Sequence, residues 1–170
     1  MLFGCSKANA VLVGVNWRLA PREMADILRD AEAKVLVFGD EFTGHLETVE
    51  PELGPMTNIV SLGGHDRHEC YECYERWIGA QPDTDLQVTA AGDDVAIQTY
   101  TSGTTGLPKG VMLTNDNFLS LMGVSKAWGY EPDSVTLVCM PLFHMAGTGW
   151  GLPRSSTAPT WCCCATRTRE

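Results

Sequence analysis

Positive charge is scarce in this chain. Lysine and arginine number 12 against 21 aspartates and glutamates, a formal net charge of −9. A nucleic-acid binder needs a basic face, so this balance argues against that class. It leaves room for a small anion such as ATP, since one positive pocket is enough. Long apolar runs are missing too. None approaches the ~20 residues of a membrane-spanning helix. Leu2-Phe3-Gly4-Cys5 has the outline of a lipoprotein cleavage site, but no basic and apolar signal segment stands before it. With no export signal, the seven cysteines are expected as reduced thiols and the chain as cytoplasmic. There is no internal repeat. A single C-x-x-C, Cys70 to Cys73, has no second pair at zinc-site spacing.

What is present is a globular composition. Hydrophobic residues make up 44% of 170 and charged residues 19%, enough for one buried core. Ala10 to Val15 reads as a buried strand. Pro21 suits the first position of a helix, and Met24, Ile27, Leu28 and Ala31 follow as one apolar stripe. Lys34 to Phe38 is a short strand ending at Gly39. This alternation of helix and strand predicts an α/β fold with a parallel sheet. A helix over 41–53, a strand over Asn58 to Leu62, and a helix near Tyr71 to Ile78 continue the pattern.

Val95 to Tyr100 reads as a strand that delivers the loop Thr101-Ser102-Gly103-Thr104-Thr105-Gly106-Leu107-Pro108-Lys109-Gly110. Glycines let backbone N–H groups approach an anion, hydroxyls add donors, and Lys109 adds a point charge for phosphate. The order is not a Walker A loop, which needs G-K-[ST] opening a helix. Here Gly110 follows Lys109 and the β-type run Val111-Met112-Leu113 comes next, so the context is strand, loop, strand. The alternative is a glycine- and threonine-rich hairpin that holds no ligand. Thr114 or Asn115 can cap the next helix, with Phe118, Leu121, Met122 and Ser125 as its inner stripe. Val135 to Cys139 is another strand, running into Met140-Pro141-Leu142-Phe143-His144-Met145-Ala146-Gly147. By itself His144 reads most simply as a core or capping histidine.

The string from Tyr100 to Val111 resembles the phosphate-binding signature of the adenylate-forming superfamily, which includes acyl-CoA synthetases. Two flanking stretches agree. Asn16-Trp17-Arg18-Leu19 with Pro21-Arg22-Glu23 is similar to the stretch before that family's first long helix. Pro141-Leu142-Phe143-His144 with Gly147 is similar to a second family motif. The resemblance covers 1–151. It implies a partial parallel-sheet subdomain of the large N-terminal domain, with Met1 beginning inside it. It also implies that Thr101, Ser102, Gly103, Thr104, Thr105, Gly106 and Lys109 contact the ATP phosphates, with Thr101 on the Mg²⁺ side. By the same resemblance, Lys109 and His144 serve the reaction, His144 beside the acyl carboxylate and adenylate phosphate. Phe143, Met145 and Gly147 would shape that wall. Asn16, Trp17 and Arg18 read as a loop anchor.

The implied chemistry is that of a fatty-acid–CoA ligase using ATP, Mg²⁺ and coenzyme A. A carboxylate is activated to an acyl-adenylate, and a thiol then displaces AMP. Family members run to about three times this length, and their adenine-binding segment, hinge and C-terminal domain fall after the matched part. The chain alone is therefore expected to be inactive. The alternatives are a non-catalytic nucleotide-binding or interaction remnant, and a pseudogene product. A partial sheet would leave an open edge, prone to oligomerisation or aggregation.

Residues 152–170 differ from the rest. Up to Gly151 there are 9 basic and 20 acidic residues; after it, 3 and 1. This tail has neither helical nor strand periodicity. It reads as unrelated sequence, expected from a shifted frame. If Trp161-Cys162-Cys163-Cys164 is encoded TGG-TGC-TGC-TGC after a G, the neighbouring frame gives Val-Val-Leu-Leu. The His65, His68, Cys70 and Cys73 cluster reads as a variable loop rather than a metal site.

Overall fold

The computed structural model describes residues 1–56, 58–63, 71–101, 108–129, 136–149 and 161–163. In chain order the elements are α1 (Leu2–Lys7), β1 (Leu12–Val13), α2 (Pro21–Asp30), β2 (Val35–Phe38), α3 (Thr43–Val49), β3 (Asn58–Ser61), β4 (Glu72–Cys73), α4 (Tyr74–Gly79), β5 (Val95–Thr101), β6 (Lys109–Thr114), α5 (Asn115–Ala127), β7 (Thr136–Val138) and β8 (Trp161–Cys163). The chain divides into two units. One joins Met1–Asn16 to Gln87–Glu170, and the other is Trp17–Leu86.

The Trp17–Leu86 unit is a parallel α/β piece. Its sheet runs in the order β2-β3-β4, with Val35 to Phe38 in register with Asn58 to Ser61. Helix α2 begins at Pro21, whose missing N–H is no loss in the first turn. Ala20 offers no side-chain acceptor as N-cap, so Glu23 completes the start: its carboxylate accepts the Ala20 N–H at 2.9 Å. The α2 stripe puts Ala25, Ile27 and Leu28 in the core with Leu46 and Val49 of α3 and with Phe38 and Val60 of the strands. Ile27 and Val60 are fully buried, worth about 1.5–3 kcal/mol each. The helix expected over 41–53 is shorter. It is a 3-10 turn, then α3, then a second 3-10 turn over Glu50–Glu52, because Pro51 has no N–H to continue the ladder. The helix expected from Tyr71 starts at Tyr74, after the two-residue strand β4.

The other unit holds two sheets. Strand β5 is central in the order β1-β5-β6, parallel to β1 and antiparallel to β6. The parallel arrangement thus holds throughout except at the β5–β6 hairpin, where a short connection permits only antiparallel pairing. The six-residue first strand expected from the apolar run is two residues long in this pairing, Leu12 and Val13 against Ile97 and Gln98. Ile97 and Thr99 are buried on one face of β5. The second sheet pairs β7 with β8, Leu137 opposite Cys162. A strand in the tail was not expected from its pattern. Cys5, Cys73 and Cys139 are free thiols. No described helix is long and apolar enough to cross a membrane.

Candidate functional site

The phosphate-loop candidate sits on the β5–β6 hairpin. Its base is tied down on one side by the turn before β5. Asp94 accepts the Ala91 N–H at 2.8 Å and the Asn9 side-chain amide at 2.9 Å. Those two bonds, the backbone one first, hold its carboxyl below the ordinary 3.8. Asn9 lies in the left-handed region, φ 49°, where asparagine is among the tolerated residues. Its conformation ends α1 and presents the amide. The start of α5 closes the same base. The Asn115 N–H donates to the Asp94 carbonyl at 3.0 Å and the Asp116 N–H to the Gly92 carbonyl at 2.8 Å. The Asp116 carboxylate lies over Gly92, where a Cβ would displace it. Thr114 and Asn117 cap α5 reciprocally. The Asn117 carbonyl oxygen accepts the Thr114 N–H at 2.9 Å, and Thr114 Oγ1 accepts the Asn117 N–H at 3.4 Å.

From this base the ladder runs Gln98 opposite Met112, Thr99 opposite Val111, Tyr100 opposite Gly110, and Thr101 opposite Lys109. The Tyr100 ring lies across Gly110: a Cβ there would stand 3.1 Å from its Cζ. The Gln98 amide donates to the Tyr100 hydroxyl at 2.8 Å and orients the ring. The last rung therefore brings Thr101 and Lys109 together, both exposed, at the two ends of the intervening loop. Ser102, Gly103, Thr104, Thr105 and Gly106 lie outside the described residues. Strands β5 and β6 stand on either side of these residues, and β6 is the strand that the Val111-Met112-Leu113 run predicts.

His144 stands in a separate turn. Its N–H donates to the Pro141 carbonyl at 3.0 Å, and its own carbonyl accepts from Gly147 at 2.9 Å and Thr148 at 3.1 Å. Residues 145–149 are helical. His144 Nδ1 accepts the Ala146 N–H at 3.2 Å, so the ring caps this short helix. With Nδ1 an acceptor, the neutral ring carries its proton on Nε2. Gly147 is buried, and a Cβ there would stand 2.3 Å from the Pro141 carbonyl oxygen. Its observed role is close packing inside the turn. Gly14, just after β1, packs against Phe143, with a virtual Cβ 3.0 Å from the Phe143 Cα. Thr148, which the motif reading did not single out, is 8% exposed and donates from Oγ1 to the Leu142 carbonyl at 2.6 Å. A threonine in a short motif carries no pattern that separates such a clamp from a surface hydroxyl.

The described residues contain no group of three His, Cys, Asp or Glu that could hold a metal ion. The His65, His68 and Cys70 part of the cysteine–histidine cluster lies outside the described residues. Thr101 offers a single hydroxyl, one oxygen where a magnesium or calcium ion caged by protein needs several.

The described elements define a mixed α/β class, with parallel sheet portions and one antiparallel hairpin. The AMP-binding enzyme family matches residues 1–158, and the chain belongs to that family. It is 35% identical over 166 residues to a fatty acid–[acyl-carrier-protein] ligase of Streptomyces coeruleorubidus, covering 94% of this chain and 30% of that protein. It is 31% identical over 150 residues to a long-chain-fatty-acid–CoA ligase of Mycobacterium tuberculosis, covering 86% and 28%. Among solved structures, an anthranilate CoA ligase in complex with anthranoyl-AMP superposes with a TM-score of 0.84 at 30% identity, over 95% of this chain and 32% of that one. The N-terminal domain of FACL13 from Mycobacterium tuberculosis, with inhibitor bound, gives 0.78 at 27% identity, over 95% and 39%. The chain thus spans about 30% of the length of the curated relatives it matches.

Proposed function

We propose that this chain carries the nucleotide-phosphate-binding part of an ATP-dependent fatty-acid–CoA ligase, and that alone it makes no acyl-CoA. The supporting observation is the rung that sets Thr101 opposite Lys109 at the mouth of the Ser102–Gly106 loop. In the reaction, a fatty-acid carboxylate oxygen bonds to the α-phosphorus of MgATP and the bond to pyrophosphate breaks. The sulfur of coenzyme A then bonds to the acyl carbon, and AMP leaves. The first step brings two anions together. The Lys109 ammonium and the hydroxyls of Thr101, Ser102, Thr104 and Thr105 offset that repulsion, with loop amides freed by Gly103 and Gly106. Thr101 offers its hydroxyl to the magnesium of MgATP. His144, whose Nδ1 is engaged, presents an Nε2–H donor to the developing adenylate charge. The coenzyme, the cytoplasmic location and the division into a 1–151 partial domain and a 152–170 tail belong to this reading.

Calorimetric titration of the 170-residue chain with MgATP tests it. Saturable binding is expected, weakened about 10–100-fold in Lys109→Ala, since a hydrogen bond to a charged group is worth about 1.5–3 kcal/mol. Binding that is absent, or equal in the two proteins, refutes the reading. A second reading, an interaction or self-association remnant, is favoured by Met112 on β6, which is 65% exposed on the strand at the end of its sheet. Concentration-dependent association without nucleotide binding would mark it.

A further inference from the structure

The turn around His144 is closed by more bonds than a five-residue helix needs. Thr148 closes the turn with two bonds. The Thr148 hydroxyl donates to the Leu142 carbonyl at 2.6 Å, and the Thr148 N–H donates to the His144 carbonyl at 3.1 Å. The first bond crosses the turn; the second ties its far side to the histidine's own backbone. Gly147 donates to the same carbonyl at 2.9 Å, while the His144 N–H reaches back to Pro141 at 3.0 Å. Every backbone polar group of His144 is thereby committed. Thr148, itself buried, anchors this arrangement through its side-chain hydroxyl, in a part-buried bond to the carbonyl of the exposed Leu142. A hydroxyl on a buried side chain donating at that distance resists rotation, because breaking the bond leaves that donor without its partner.

We infer that Thr148 is a positioning residue. Through the Leu142 carbonyl it fixes the 142–148 turn, keeping the Ala146 N–H on His144 Nδ1 and the imidazole in its Nε2–H tautomer. The inference rests on the reading above that His144 Nε2–H serves a phosphate-bearing intermediate. A donor is useful there only if the proton stays on the outward nitrogen, and Nδ1 can keep its acceptor role only while Ala146 stays in place. No bond is made or broken to substrate by Thr148 itself.

The test needs no ligand, so it stands or falls apart from nucleotide binding. The full chain is labelled with ¹⁵N-histidine, and the His144 ring nitrogens are read by long-range ¹H–¹⁵N correlation above the histidine titration. Wild type is expected to show Nε2 as the protonated nitrogen and Nδ1 as the bare one. Thr148→Val keeps the shape and loses the hydroxyl. Its two ring-nitrogen shifts are expected to move toward each other, to the mixed tautomers of an unrestrained imidazole, and Thr148→Ser should restore the wild-type pair. A folded Thr148→Val chain with unchanged His144 shifts overturns the inference. Should that variant lose its dispersed spectrum, Thr148→Ala takes its place under the same criterion. If both unfold while Thr148→Ser folds, the hydroxyl serves the fold as a whole and the positioning role is overturned.

Discussion

Replacing Gly147 by alanine sets packing against helix propensity. In a helical segment alanine ordinarily stabilises, by roughly 0.5–1 kcal/mol over glycine. At Gly147 the added Cβ would stand 2.3 Å from the Pro141 carbonyl oxygen, and 2.7 Å from both the Met140 oxygen and the Pro141 carbonyl carbon. All three are backbone atoms, so no rotamer change relieves them. Ordinary contact begins near 3.4 Å, so one side of the turn must retreat by about 1 Å. That movement strains the bonds converging on the His144 carbonyl. Overpacking of this kind costs about 1–3 kcal/mol, which overrides the propensity gain. A net loss of about 2 kcal/mol lowers the folding equilibrium roughly 30-fold. With a urea slope of about 2 kcal/mol/M, the midpoint falls by about 1 M. The control is Gly44→Ala in α3, where nothing lies within 4 Å of the new Cβ. There the propensity term acts unopposed, a gain of about 0.5 kcal/mol. Urea unfolding is followed by circular dichroism, with hydrogen exchange of the 137–149 and 43–49 peptides separating the two units. Opposite signs are expected. A Gly147→Ala chain as stable as wild type refutes the packing argument.

Two further measurements address the base of the hairpin. The Asp94 carboxyl is held below 3.8 by the Ala91 N–H and then by Asn9, so the folded state binds its proton less tightly than the unfolded state does. Its contribution is present above that value and is lost as pH falls through the lowered folded value. The chain should therefore lose stability below about pH 3.8 more steeply than Asp94→Asn does; parallel pH profiles of the two would refute this. Thr114→Val removes the hydroxyl that caps α5 and should cost about 1 kcal/mol in urea unfolding. An unchanged midpoint would show that the Asn117 half of the pair suffices.

The sequence carries the fold where a local signal and its tertiary outcome coincide. Pro21 with the Ala25, Ile27 and Leu28 stripe specifies α2, because a first-turn proline and a helical period act on the same ten residues. The β-type run after Lys109 specifies a hairpin, because a short loop between two strands leaves antiparallel pairing as the only closure. Pairing over long separations is less legible. Ala10 to Val15 is apolar throughout, yet only Leu12 and Val13 meet β5, since the partner decides the length. Trp161 to Cys163 lacks strand alternation and still pairs with β7. At the site, residue type leaves His144 between a core and a capping role, and the Ala146 N–H on its Nδ1 decides for the cap. Thr148 is not, because its meaning lies in a bond to the Leu142 carbonyl six residues earlier.

The two-part composition of the hairpin unit has a consequence for the order in which this chain can fold. Leu12 pairs with Ile97, and Asn9 bonds Asp94 across 85 positions. During synthesis the whole Trp17–Leu86 unit is made before the partner of β1 exists. Until then β1 carries unpaired backbone groups and an apolar face. Joining it to β5 closes a loop of that length, at an entropic cost that grows only slowly with the number of residues spanned. An inserted unit that folds first shortens the effective loop by holding its own ends in place. The Trp17–Leu86 unit thus stands, in time as well as in sequence, between the two halves of the sheet that sets Thr101 opposite Lys109.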